Sequence, residues 1–232
     1  MTLSVCYLTT NANHVVFKAS LESVIGIADE IIILDGGSTD GTLDLIDSFH
    51  SKKIKVIYKK YKKELKGING MQRNECLKHV TGDWVLVLDA DEVLSDNGFL
   101  LPKLGEKQGA DLYDVRMEHF VWNLNLVDAT REEHFVPRRF FRNVNGLWYP
   151  EEEHPVLQGN GKSGRISEVT IFHYGLTFGI WDVLNKHQNH VKKSRTHSPD
   201  FLKWWKEGLL FGTYPVKHFT GKHPVPIKRL IE

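Results

Sequence analysis

The sequence predicts an α/β fold with a mostly parallel central sheet flanked by helices. Three observations carry that prediction. Short β-rich runs at residues 3–8, 30–35, 55–58 and 84–89 alternate with helical patterns over the first hundred residues. Two of the runs, IIIL and VLVL, lack polar alternation, as expected of strands buried on both faces. The segments between them carry apolar residues at helical spacing, which implies right-handed crossovers between parallel strands.

Each element follows from its residues. Phe17, Leu21, Val24 and Ala28 form one helical stripe, and Leu43, Ile46 and Phe49 form a second. Ser38, Thr39 and Asp40 offer a start for that second helix. The basic stretch KKYKKELK at 59–66 lies between a strand and a helix and reads as a loop. Beyond about residue 110 aromatics, Arg and His become dense, as in RRFFRN and WYPEEEHPVL, and residues 177–212 look helical. The expected organisation is one domain over 1–175, with 1–110 and 111–175 as its two halves. A C-terminal helical extension over 176–232 packs on it or mediates self-association as a homo-oligomer.

Composition narrows the class. Hydrophobic residues make up 41% of the 232 residues and charged ones 25%, as in an ordinary globular protein. Thirty basic against 29 acidic residues leave no case for a nucleic-acid partner. Cys6 and Cys76 lie in apolar stretches without metal-like spacing and read as reduced core residues. The N-terminus has neither a basic region nor a long apolar run, so no signal peptide is expected and a cytoplasmic enzyme fits. Trp204 and Trp205, with nearby lysines, read either as a peripheral membrane contact or as helix packing, and packing is the expectation.

Ligands of parallel sheets bind beyond the carboxyl ends of the strands. Here three of the four runs end in polar residues: Thr9, Thr10 and Asn11 after the first, Asp35 after the second, Asp89 and Asp91 after the fourth. In VLVLDADEV the acids stand two apart where a buried strand gives way to a turn, so both can face one pocket and bind a hard divalent cation. The bland alternative is a turn with solvated acids. GGSTDGT at 36–42 has neither a G-x-G-x-x-G pattern nor a GK[ST] ending, and reads as turn and cap with a structural Asp40. Arg73 shares a helical face with Cys76, Leu77 and Val80, a costly place for an unpaired charge. It pairs either with a core acid such as Asp35 or Asp89, or with a ligand.

SVCYLTTN, ADEIIILDGGSTDGT, the helix carrying Gln72-Arg73-Asn74, and TGDWVLVLDADE occur in this order and spacing. Together they resemble the family 2 glycosyltransferases, which have the GT-A fold. The resemblance covers the N-terminal half well and the rest loosely, and it implies a catalytic domain over 1–175 with 1–110 as its nucleotide-sugar half and 111–175 as its acceptor half. It implies an enzyme that moves a sugar from a nucleotide-sugar donor, most often a UDP-sugar, to a glycan, lipid-linked or other hydroxyl acceptor. It implies a divalent cofactor, Mn2+ or Mg2+, and inversion at the anomeric centre. By the same resemblance Asp35 and Thr9, Thr10 and Asn11 line the base pocket, Arg73 faces the nucleotide, Asp89 faces the ribose and Asp91 binds the metal with help from Asp89. A late histidine completes the metal or diphosphate site in several such enzymes, which singles out His173 in VTIFHYG. The acceptor base is expected among Glu151, Glu152 and Glu153, at Glu153 first and then Glu152, with Asp128 or Glu132 next if none of the three serves. The sequence departs from the family pattern here, because the acids precede His154. His187, His190 and His197 are expected at the surface.

Three other classes stand against this reading. A sugar-nucleotide pyrophosphorylase needs a Gly-rich basic loop after the first strand, and TTNANH is not one. A phosphatase with an aspartyl nucleophile carries its D-x-D after the first strand, not the fourth. A non-catalytic nucleotide-sugar binder of the same fold would be expected to lose one acid of the pair, and both are present.

Overall fold

A computed structural model describes residues 1–12, 14–60, 68–130, 133–152, 154–177 and 199–231. Among these, four parallel strands form the first half of the sheet: β1 (Leu3–Thr9), β2 (Glu30–Asp35), β3 (Ile54–Tyr58) and β4 (Trp84–Asp89). Their order is β3-β2-β1-β4, with Thr9 opposite Asp35 and Leu8 opposite Asp89. The polar strand ends that the sequence marks therefore share one edge of the sheet.

The unbroken apolar runs are explained by what covers them. Leu3, Val5, Tyr7, Ile31, Ile33, Trp84, Leu86 and Leu88 pack on one face with Phe17, Leu21 and Val24 of α1 (Val15–Ile25). Cys6, Ile32, Val85 and Val87 pack on the other with Cys76 of α3 (Ile68–Leu77). Both cysteines are free and buried, as expected. The second helix, α2 (Thr42–Asp47), follows the turn read at 36–42. Asp40 Oδ1 accepts from the Thr42 N–H and Gly41 takes φ 88°, so residues 38–41 form the turn that leads into the helix.

Past β4 the sheet becomes mixed. A two-residue turn leads to β5 (Glu92–Leu94), and α4 (Leu101–Gln108) follows. Then β6 (Leu112–Val121), β7 (Leu126–Asp128) and β8 (Phe135–Arg142) extend the sheet, with β8 antiparallel to both β4 and β6. The long strand β9 (Ser163–Leu176) runs parallel to β6 and antiparallel to β5, which brings His173 opposite both Glu92 and His119. Lastly, α5 (Pro199–Phe211), β10 (Val216–His218) and α6 (Val225–Ile231) return to the body, β10 pairing with β7 and α6 packing on α1.

Trp205 packs against the cluster of Val121, Leu209 and Tyr214, while Trp204 lies beside Tyr214 and stays 47% exposed. No helix among the described residues is long and apolar enough to cross a membrane. The tract 61–67 and residues 178–198, including Trp181, Leu184, His187, His190 and His197, lie outside the described residues.

Candidate active site

At the β1–β2 end of the edge, Asp35 is fully buried. Its Oδ1 accepts from the backbone N–H groups of Gly37 and Ser38. Its Oδ2 accepts from the hydroxyls of Ser38, at 2.5 Å, and Thr9, at 3.2 Å. Asn11, at φ 54°, ties the two loops together: its N–H donates to Ser38 Oγ and its Oδ1 accepts from the Thr39 N–H. Thr10 caps β1 through a bond from its hydroxyl to the Thr9 carbonyl. Thr9, Thr10, Asn11 and Asp35 thus form one cross-linked pair of loops, with Thr10 and Asn11 exposed.

Beside this lies a charge cluster that the sequence shows only in part. Arg73 donates to Asp89 Oδ1 at 2.8 Å, and Arg139 donates to Asp89 Oδ2 at 3.0 Å. Arg139 also reaches Glu92 Oε1 at 2.8 Å, and the Asp89 N–H donates to Glu92 Oε2 at 2.8 Å. Of the two partners considered for Arg73, the structure shows the core acid. Both oxygens of Asp89, expected to help Asp91 hold the metal, are engaged by guanidinium groups. Burial alone would raise the Asp89 carboxyl, but Arg139 and Arg73 outweigh it and hold the group well below the usual carboxylate range. Glu92 goes the other way. Burial pushes it up to about 8, against the pull of Arg139.

Arg139 reaches this cluster because β8 is irregular. The β6–β8 register shifts between Tyr113 and Val115, Arg138 takes φ 49°, and its N–H is held by Asp114 Oδ1 at 3.0 Å. Such a bulge re-aims the neighbouring side chain. It carries Arg139 into the interior, 9% exposed.

Asp91 stands on the turn after β4. Tyr174 donates its backbone N–H to the Asp91 carbonyl at 2.9 Å, which fixes the turn against β9. The side chain faces His173, with Oδ1 at 3.8 Å from Nε2. Gly175 lies two residues on, on the same face of the strand. A Cβ there would press on Asp91 Oδ2 and lie 2.8 Å from His173 Nε2, so only glycine leaves the space between the two side chains open. Among the described residues no group of three His, Cys, Asp or Glu side chains is arranged to hold a metal. An ion at this pair would therefore draw further ligands from a diphosphate and water.

The turn carrying Glu151 and Glu152 is docked onto α3. Asn74 and Tyr149 exchange two hydrogen bonds, at 2.7 and 2.8 Å, and Gly70 donates its N–H to the Glu152 carbonyl at 3.3 Å. Gly70 has no room for a side chain, because a Cβ would overlap the Pro150 carbonyl. Arg73 lies 5.5 Å from the centre of the Tyr149 ring, which links the turn to the charge cluster. Glu151 and Glu152 are exposed on this turn. Glu153 and Glu132 lie outside the described residues. Asp128 accepts hydrogen bonds from the Thr130 N–H and the Tyr214 hydroxyl.

Sequence reasoning missed Arg139, Glu92 and His119. Glu92 was visible as the last acid of DADE, and Arg139 as one arginine of RRFFRN, but neither pattern shows a partner.

The chain is 32% identical over 120 residues to an uncharacterized glycosyltransferase of Mycoplasma pneumoniae, a match covering 48% of this chain and 39% of the relative. It is 37% identical over 79 residues to the SPbeta prophage-derived glycosyltransferase SunS of Bacillus subtilis, covering 34% of this chain and 17% of SunS. The chain thus spans well under half the length of these relatives. In three dimensions it is similar to S. aureus TarS, with a TM-score of 0.57 at 16% identity over 90% of this chain and 71% of the other, a likeness of fold. The model of glycosyl transferase family 2 matches residues 4–157. The fold agrees with that match, which covers well over half of the chain, and this chain belongs to glycosyl transferase family 2.

Proposed function

We propose that this protein transfers a sugar from a UDP-sugar to a hydroxyl of a glycan or lipid-linked acceptor, with a divalent metal and with inversion. The observation that carries the reading is the convergence on one sheet edge of Asp35, Asp89, Asp91 and His173 in a chain of this family. Support for the nucleotide comes from the TarS neighbour, of which structures exist in complex with UDP and with UDP-GlcNAc.

Asp91 and His173 would hold the ion, an oxygen and a nitrogen donor of the kind Mn2+ accepts, in the space that Gly175 keeps open. When bound, the ion neutralises the charge that develops on the leaving diphosphate. The protein's own residues do the rest. Arg73 and Arg139 keep Asp89 ionised and fixed at the end of β4, where it faces the ribose. The tied loops at Thr9 to Asn11 and Asp35 flank the base. Asp35 would offer it an acceptor if Ser38 yields its 2.5 Å bond. Glu153 removes the acceptor proton or, failing it, Glu152, whose turn is held by Asn74 and Gly70.

Thermal-shift screening of nucleotide sugars with and without Mn2+ tests this reading. A UDP-sugar should raise the melting temperature more with Mn2+ than without it. Equal shifts for all nucleotides, or none, would remove the donor assignment.

A further inference from the structure

We propose that His119 positions His173, holding its ring and fixing the tautomer that leaves Nε2 bare beside Asp91. The inference rests on the reading of Asp91 and His173 as the metal pair, and adds a residue that acts through His173.

The geometry is specific. His119 on β6 is the direct register partner of His173 on β9, so both side chains leave the same face of the sheet. Their Nδ1 atoms lie 3.0 Å apart, a hydrogen-bond distance. The ring of His134 stands edge-on to His119 with centroids 4.4 Å apart, which limits how far His119 can turn away. The His134 carbonyl accepts the Met117 N–H at 2.8 Å, so His134 is anchored at the β6–β8 junction.

Two ring nitrogens facing each other share one proton, because one must donate and the other accept. If His119 donated, neutral His173 would carry its own proton on Nε2, and that nitrogen could not bind a cation. If His173 donates from Nδ1, its Nε2 lone pair points toward Asp91, 3.8 Å away. Cation binding requires the second arrangement, so His119 must accept at Nδ1 and keep its own proton on Nε2. A histidine ligand usually gives its second N–H to a carboxylate, a carbonyl or water. Here a neutral imidazole takes that place.

The test is Mn2+ binding to the full chain, alone and with UDP, followed by the electron paramagnetic resonance of the free ion. His119→Asn places an amide oxygen near the position of Nδ1 and should keep the affinity within about threefold. His119→Phe keeps a ring but accepts nothing, and His119→Gln places its amide out of reach. Both should weaken Mn2+ binding about 10- to 100-fold, the usual loss when such a partner is removed. Melting temperatures separate misfolding from mispositioning, and His119→Gln replaces His119→Phe if the latter does not fold. The proposal is overturned if Phe and Gln bind Mn2+ like the unaltered protein, or if Asn binds as weakly as they do. Asp91→Ala and His173→Ala are the control arms. If these two retain full Mn2+ affinity, the metal pair itself is wrong and the proposal falls with it. If they lose Mn2+ while His119→Phe and His119→Gln do not, only the role of His119 fails.

Discussion

Replacing Arg139 by methionine should be among the most damaging single changes in the sheet. The guanidinium is nearly closed to solvent and contacts two acids, Glu92 at 2.8 Å and Asp89 at 3.0 Å. Methionine keeps much of the volume, so the loss is electrostatic rather than a cavity. At an effective dielectric of about 20, opposite charges about 4 Å apart attract by about 4 kcal/mol. Above pH about 8, where Glu92 is ionised, most of that belongs to Glu92, whose side chain is 2% exposed. Asp89 is 37% exposed and keeps Arg73, so solvent screens its share. Removing one partner of a buried pair typically costs about 3–5 kcal/mol. We therefore expect about 3 kcal/mol, or roughly 6–12 °C in melting temperature for a chain of this size. Urea unfolding at pH about 9 of Arg139→Met, Glu92→Gln and the double variant should give a coupling of about 1–3 kcal/mol, because glutamine, unlike the ionised Glu92, does not need the cation.

The same residues fix a pH dependence. Glu92 is raised from 4.5 to about 8 in the folded protein. Such a carboxyl destabilises the fold only as it is forced to ionise. Its contribution is most favourable below the unfolded value and declines as pH rises from about 4.5 to about 8. Glu92→Gln should therefore flatten this decline. An Arg139→Met protein melting within about 2 °C of the unaltered one, with no coupling to Glu92, would refute the reasoning.

Two further outcomes test the site. Gly175→Ala places a methyl group between Asp91 and His173, and should lower Mn2+ affinity about tenfold or more while costing only about 1–3 kcal/mol of stability. Unchanged Mn2+ binding would contradict the cradle. Glu152→Gln and Glu153→Gln should each leave UDP binding unaltered, and the variant lacking the base should lose about a hundred- to ten-thousand-fold in turnover, read from coupled UDP release. Normal turnover in both would move the base to Asp128 or Glu132.

Much of the fold was legible because its signals are local. The four parallel strands lie within a residue of their apolar runs, since residues such as Ile32 and Val87 must be covered on both faces. The turn before α2 was legible in GGSTDGT for the same local reason: Asp40 bonds the Thr42 N–H from outside the helix, next to the left-handed Gly41. At the site, the positions of the acids were legible and their partners were not. Asp89 and Asp91 look equivalent in DADE, yet one is clamped by two arginines and the other faces a histidine. Those differences depend on register between strands far apart in the chain. Arg139 enters through a bulge, and His119 meets His173 across 54 residues. No local pattern encodes either event.

The central claim is that Asp91 anchors the metal through which a UDP-sugar is activated. Its most direct test is the release of UDP from a panel of UDP-sugars with Mn2+, comparing the unaltered protein, Asp91→Ala, and the unaltered protein in excess chelator. The account predicts turnover with at least one donor, lost in chelator and reduced in Asp91→Ala by several kcal/mol of transition-state stabilisation, about a thousandfold or more. Full turnover by Asp91→Ala, or by the unaltered protein in chelator, would contradict it.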